Sequence, residues 1–195
     1  PTIFFVLVMS VYPFLWLIRY VFYDYNGFKA YYVGLDNFKR VFRDGIYWNS
    51  VIHTFEYAAL KLLFVLPLSM ITAVLLQRKR FGSSLFQGIY FLPTVISSAV
   101  YSLIWYFIFA TYNGVLNGYL EWAGVISKPV DWLGDEKTAM IAVVIVAVWG
   151  AFGNYMILLI SGLTGISTDV YESAQIDGAN GVQTFFKITL PMLGP

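Results

Sequence analysis

The chain has 195 residues, of which 59% are apolar, 19% aromatic and only 12% charged, against about 25% charged in an average globular domain. At a mean hydropathy of +0.69, a soluble domain of this size has no core large enough for so much apolar surface, so much of it faces lipid. A net charge of +1, no cysteine and one histidine remove nucleic-acid binding, disulfide frameworks, thiolate sites and the usual zinc sites, and the hydropathy removes intrinsic disorder.

Charged residues punctuate the sequence. None occurs from Pro1 to Ile18, from Phe81 to Leu120 or from Thr138 to Thr168. A helix needs about 20 residues to cross the hydrocarbon, which predicts four spans at about 3–22, 50–77, 86–110 and 138–163. Strand alternation is absent, so helices are the expected spanning form. The fold class expected is all-α, a polytopic membrane helix bundle. No basic segment precedes the first span and no small-residue cleavage site follows it, so it does not read as a signal peptide. The chain opens on Pro1 and closes on Leu193-Gly194-Pro195 as another apolar run begins, which reads as a piece trimmed at both ends.

Sidedness follows from Arg78-Lys79-Arg80 in the short link between spans two and three. The positive-inside rule puts that link in the cytoplasm, residues 24–49 and 112–137 outside, and the segment after 163 inside. The first outer segment, with Lys29, Lys39, Arg40 and Arg43, runs against the rule. Within it, Leu35, Phe38, Val41 and Phe42 have helical spacing and predict a short helix on the membrane surface.

Span two carries Glu56 and Lys61, either a functional intramembrane pair or an interfacial pair with Lys61 snorkelling. His53 reads as interfacial. Pro13, Pro67 and Pro93 predict kinks. Asn113-Gly114 and Asn117-Gly118 read as turns ending span three, with a Gly114/Gly118 helix contact as the alternative. There is no Gly-rich phosphate loop followed by Lys and Ser/Thr, so ATP binding by that route, catalysis, a resident cofactor and a metal site are not expected. An intramembrane enzyme would need a second acid or a nucleophile–base pair, and only Glu56 lies in a span.

After span four, Asp169 with Glu172 three residues on has the capping-box pattern and predicts a helix from about Val170. Gly178 is placed to end it as a left-handed residue. Such a two-turn helix is too short to persist alone, so its own protein or a partner must hold it.

Here the sequence resembles a family. Glu172-Ser173-Ala174, Asp177-Gly178-Ala179, Phe186, Ile188, Leu190 and Pro191 are similar to the Glu-Ala-Ala loop of permease subunits of binding-protein-dependent ATP-binding-cassette importers. Gly178, Ile188, Leu190 and Pro191 keep the family spacing, and Ser173 in place of Ala is a small-for-small departure. Tyr12-Pro13, Val33-Gly34-Leu35-Asp36-Asn37-Phe38, Phe91-Leu92-Pro93 and Asp131-Trp132-Leu133-Gly134 resemble carbohydrate-type permeases, in particular the maltose/glycerol-phosphate group. Glu56 and Lys61 stand where that group has uncharged residues.

The resemblance implies a fragment of a six-span core in a bacterial or archaeal inner membrane. Residues 167–181 would form a short cytoplasmic coupling helix, with Glu172, Ser173, Ala174, Asp177, Gly178 and Ala179 meeting the ATPase or shaping the loop. Asp177 would bond the turn that follows. Implied partners are a cytoplasmic ATPase dimer that binds the ATP, a second permease subunit, an extracytoplasmic solute-binding protein, membrane lipid and a small-molecule substrate. A sugar is expected, with a sugar phosphate or other solute as the alternative. Trp149, Asn154 and Tyr155 of span four are the candidate substrate path, against the simpler reading of helix-packing side chains.

Overall fold

The computed structural model describes residues 1–77 and 82–194; the Arg78-Lys79-Arg80 link used above for sidedness lies outside the described residues. Among the described residues, three helices are long and apolar enough to cross a membrane, and four if a sharply bent pair counts as one span. The chain forms two compact units, Pro1–Glu56 and Tyr57–Pro195, and the Gly45–Leu76 helix contributes to each.

In the first unit the Thr2–Tyr20 helix buries none of its residues. One wide, π-helical turn spans Leu7–Val11. Pro13 explains it. A helical proline has no N–H to give the carbonyl four residues back and its ring crowds that carbonyl. That group belongs to Met9, inside the widened turn. The same relation recurs at Pro191, whose crowded carbonyl on Lys187 lies inside a second wide turn, Phe185–Thr189. Pro67 behaves differently, because the Gly45–Leu76 helix runs through it unbroken.

A two-stranded antiparallel hairpin, Tyr23–Tyr25 with Ala30–Tyr32, is a small addition to a chain that is, among the described residues, otherwise all-α as expected. Three-residue strands are too short for alternation to show in a sequence. The turn between them is made by Asn26, whose side-chain oxygen accepts from the Phe28 and Lys29 amides at 3.1 and 2.9 Å. The short helix Asp36–Arg43 follows. At about 100° per residue, Phe38, Val41 and Phe42 fall on one side and Asp36, Lys39, Arg40 and Arg43 on the other. Asn37 fastens this helix to the chain before it, donating to the Val21 and Tyr23 carbonyls at 2.8 and 3.0 Å. The Lys39 ammonium, hydrogen-bonded to Asp36 at 2.8 Å, holds that carboxyl below its ordinary pKa. In the Gly45–Leu76 helix, His53 Nδ1 and Glu56 Oε2 are 3.2 Å apart, so Glu56 has a partner on its own helix.

In the second unit the predicted third span is not one straight rod. Ser83–Val95 and Ser98–Phe109 are separate helices bent by 97°. Pro93 sits just before the break, and Ser97 restarts the helix as its N-cap, its hydroxyl accepting from the Val100 amide. The two turn signals after it divide. Asn113 has φ +58° and does turn the chain. Asn117-Gly118 does not, and lies inside the helix Val115–Trp122. The Asn117 side chain is only 2% exposed. It donates to the Thr111 and Val130 carbonyls at 3.1 and 2.9 Å and accepts from the Trp132 indole at 2.8 Å. It therefore ties the segment after the broken span to the segment before the Glu136–Thr164 helix.

The core of this unit is a crossing of three helices. Val65, Ser69 and Ala73 make one buried stripe on the Gly45–Leu76 helix at four-residue spacing. Phe152, Gly153 and Met156 face inward from Glu136–Thr164. The Ser69 hydroxyl donates to the Phe152 carbonyl at 2.9 Å. The Ser83–Val95 helix presses against Gly153 so closely that a Cβ there would lie 2.1 Å from the Tyr90 carbonyl oxygen. Small residues at such a crossing let backbones approach, which is how helices associate where lipid removes the hydrophobic drive between them.

The candidate coupling loop

The Glu136–Thr164 helix ends in a short connection in which Ile166 is buried. The next helix is Thr168–Ile176. Its N-cap is Ser167, whose side chain accepts from the Asp169 amide at 3.3 Å. This corrects the expected start. Asp169 lies two residues too far in to cap, so the box with Glu172 does not form and Glu172 stays exposed. Serine before Thr-Asp-Val is an equally good cap in the sequence, so local pattern alone does not choose between Ser167 and Asp169.

The far end closes as a Schellman motif. Gly178 has φ +75°. Its amide bonds the Gln175 carbonyl at 3.1 Å, and the Ala179 amide reaches back to the Ala174 carbonyl at 2.9 Å. These are the two bonds that satisfy the last carbonyls of a helix when a left-handed residue follows its C-cap. The C-cap itself is Asp177. The bond to the following turn expected of Asp177 comes from Asn180 instead, which caps the next helix.

Burial divides the helix into two faces. Ala174 is 5% exposed and Tyr171 is half-buried. The Tyr171 hydroxyl accepts from Thr189 at 3.4 Å, and the ring packs against the cluster of Ala73, Met156, Leu163 and Ile166. The opposite face carries Asp169, Glu172, Ser173 and Ile176, all exposed, with Ile176 at 86%. A nine-residue helix that would not persist alone is thus held by its own bundle through Tyr171 and Ala174. Its other face is left for something else.

The candidate substrate residues do not converge. Trp149 packs edge-on against Tyr101 and Trp105, with ring centroids 6.2 and 5.6 Å away. It lines an apolar cleft of about 460 Å³ with Phe64, Trp105, Val144 and Phe152. Asn154 is exposed and Tyr155 half-buried. From the helical period they lie about 140° and about 120° to either side of Trp149. Trp105 holds the one buried side-chain polar atom without a hydrogen-bond partner among the described residues, its indole nitrogen.

Residues 65–195 match the family model described as binding-protein-dependent transport system inner membrane component. The chain belongs to this family. The matched region includes the three-helix crossing and the whole Ser167–Gly181 loop. Among relatives, the probable permease protein YesP of Bacillus subtilis is 36% identical, over 89% of this chain and 56% of its own length. The probable starch degradation products transport system permease protein AmyD of Thermoanaerobacterium thermosulfurigenes is 30% identical, over 100% of this chain and 66% of its own length. A bacterial importer of the acidic polysaccharide alginate has a chain that superposes with a TM-score of 0.85 at 25% identity, covering 99% of this chain and 65% of that one. The chain thus spans less than two thirds of the length of these proteins. Family and structural likeness together identify a permease subunit of the ATP-binding-cassette importer type, a component of the inner membrane.

Proposed function

We propose that this chain is part of the membrane path by which a sugar or sugar-derived solute enters a bacterial or archaeal cell, and that the Thr168–Ile176 helix couples that path to a cytoplasmic ATPase. The observation that carries the reading is the two-faced helix itself. Tyr171 and Ala174 anchor it to the bundle, while Glu172, Ser173 and Ile176 stand clear of it. A pair of ATPases closing around ATP moves as rigid bodies, and a helix seated on each converts that motion into rocking of the membrane helices. Gly178 sets the angle at which the chain leaves the seat, and Ala179 lets the next turn come close. The sugar assignment is supported by the relative named for starch degradation products and by the alginate importer. A second permease subunit, a solute-binding protein on the outer side and an ATPase dimer are the partners this reading requires.

Two measurements test it. The full-length purified subunit should hydrolyse no ATP by itself, and hydrolysis should appear only with an ATPase, a second permease subunit and a binding protein. Turnover by the subunit alone would sink the reading. For topology, single cysteines at Ser83 and Ser173 should be protected from a membrane-impermeant thiol reagent in intact cells. One at Phe28, 95% exposed at the hairpin turn, should react. Labelling of Ser83 from outside would invert the sidedness.

A further inference from the structure

The chain between the Thr168–Ile176 helix and the next one has no free backbone donor. Asp177 donates to the Ser173 carbonyl at 3.0 Å, Gly178 to Gln175 at 3.1 Å and Ala179 to Ala174 at 2.9 Å. Asn180 then donates its amide to the Gln183 side-chain oxygen at 2.9 Å, while the Gln183 amide donates back to the Asn180 side chain at 2.9 Å. The Thr184 hydroxyl and amide both donate to the Asn180 carbonyl, at 3.0 and 2.8 Å. Two terminal motifs therefore abut, a Schellman end and a reciprocal capping box, with only Gly178 and Ala179 between the caps. An ordinary connection of this kind would leave several amides to water and so retain freedom to pivot.

We infer that Asn180 is a positioning residue for coupling. Its reciprocal cap with Gln183 removes the slack from the elbow, so that displacement of the Thr168–Ile176 helix is passed undiminished to the helix that follows. The inference rests on the coupling role proposed above. A joint that pivoted would let the short helix follow the ATPase while the membrane helices stayed behind. Two other features fit a stiff elbow. Thr189, further along the following helix, bonds back to Tyr171 at 3.4 Å, and Ala174, whose carbonyl takes the Ala179 amide, is buried.

The test uses the full-length subunit assembled with its partner subunit and ATPase in vesicles. Spin labels are placed at Gln175 and at Phe186, both exposed. The 195 residues contain no cysteine to interfere. In the wild type the distance between the labels should be narrow and the same with no nucleotide and with ATP trapped by vanadate. Loss of an N-cap shifts a local helix-start population by about five-fold. Asn180→Ala should accordingly broaden the distribution and make it differ between the two nucleotide states. Asn180→Asp, which keeps a capping acceptor, should restore the wild-type pattern. Should Asn180→Ala fail to assemble, Gln183→Ala removes the reciprocal half of the box and Gln183→Glu replaces it. A distance that stays narrow and nucleotide-independent in Asn180→Ala or Gln183→Ala overturns the inference. So does an equal loss in Asn180→Asp or Gln183→Glu. Absence of any ATPase in the wild-type complex would overturn the coupling role itself, and this inference with it.

Discussion

Gly178→Val is expected to leave the protein in the membrane and abolish uptake. Gly178 sits at φ +75°, a conformation that places the Cβ of an L-residue against its own backbone at a cost of about 1–2 kcal/mol. No neighbouring atom lies within 4 Å of a Cβ built there, so the penalty is one of backbone strain and not of collision. Strain of that size shifts the population of the closed Schellman end by roughly an order of magnitude. The chain would relieve it by leaving the left-handed region, which breaks the Gly178–Gln175 and Ala179–Ala174 bonds. The exit direction of the Thr168–Ile176 helix then changes, and its exposed face no longer meets the ATPase squarely. The three-helix crossing at Ser69, Tyr90 and Gly153 is elsewhere, so insertion should be normal. Co-purification of the ATPase with the full-length variant in detergent, beside uptake in cells, decides the matter. Gly178→Asn, which tolerates positive φ, should retain most activity. A valine variant that keeps its ATPase and transports at the wild-type rate would remove the coupling role from this loop. Glu172→Ala should be milder, because Glu172 is exposed and does not cap the helix; only its contribution to the partner surface is lost.

What could be read from the residues, and what could not, follows the range of the interactions involved. Long apolar runs announce helices because lipid leaves no other way to satisfy the backbone, and the Gly45–Leu76 and Glu136–Thr164 helices lie where the hydropathy put them. Gly178 was legible for a local reason, since a glycine directly after the C-cap of a short helix is the usual left-handed residue that ends it. The break at Ile96-Ser97 was not, because Pro67 and Pro93 look alike in sequence and only one of them interrupts its helix. The choice of cap at Ser167 over Asp169 depends on where the preceding helix releases the chain, at Gly165 with Ile166 buried behind it, and the local spacing does not show that. Asn117 departs from its expected turn for a similar reason. Asn-Gly is a turn signal in isolation, but five side-chain hydrogen bonds, to residues as far away as Trp132, hold this one inside a helix. Ser69 and Gly153 carried no local signal at all, since their importance comes from helices that meet only in three dimensions.

That crossing yields the second large expected effect. Gly153→Val should prevent stable folding, whereas Gly150→Ala, one turn earlier on the same helix, should be nearly silent. A Cβ at position 153 would stand 2.1 Å from the Tyr90 carbonyl oxygen, 2.8 Å from its carbon and 2.9 Å from the Phe91 Cα. All three are backbone atoms of the Ser83–Val95 helix, so no side-chain rotation relieves the overlap, and the two helices must separate. Separation would also pull the Phe152 carbonyl from the Ser69 hydroxyl, now 2.9 Å away and buried, and part the Tyr90 and Phe152 rings, whose centroids are 5.5 Å apart. Overpacking a filled core costs about 1–3 kcal/mol when side chains can adjust. With backbone on the receiving side and a buried hydroxyl left unpaired, about 3 kcal/mol or more is expected. At position 150 the nearest atom to an added Cβ is the Tyr101 ring carbon at 3.9 Å, an ordinary contact. Fluorescence-detected size exclusion of the full-length variants in detergent, repeated after heating, gives the comparison. The valine variant should elute as aggregate or lose its monodisperse peak many degrees below wild type, with the Gly150→Ala peak unchanged. Equal melting of Gly153→Val and wild type would mean that the helices at Tyr90 and Gly153 do not pack at the distance described, and the three-helix crossing would have to be redrawn.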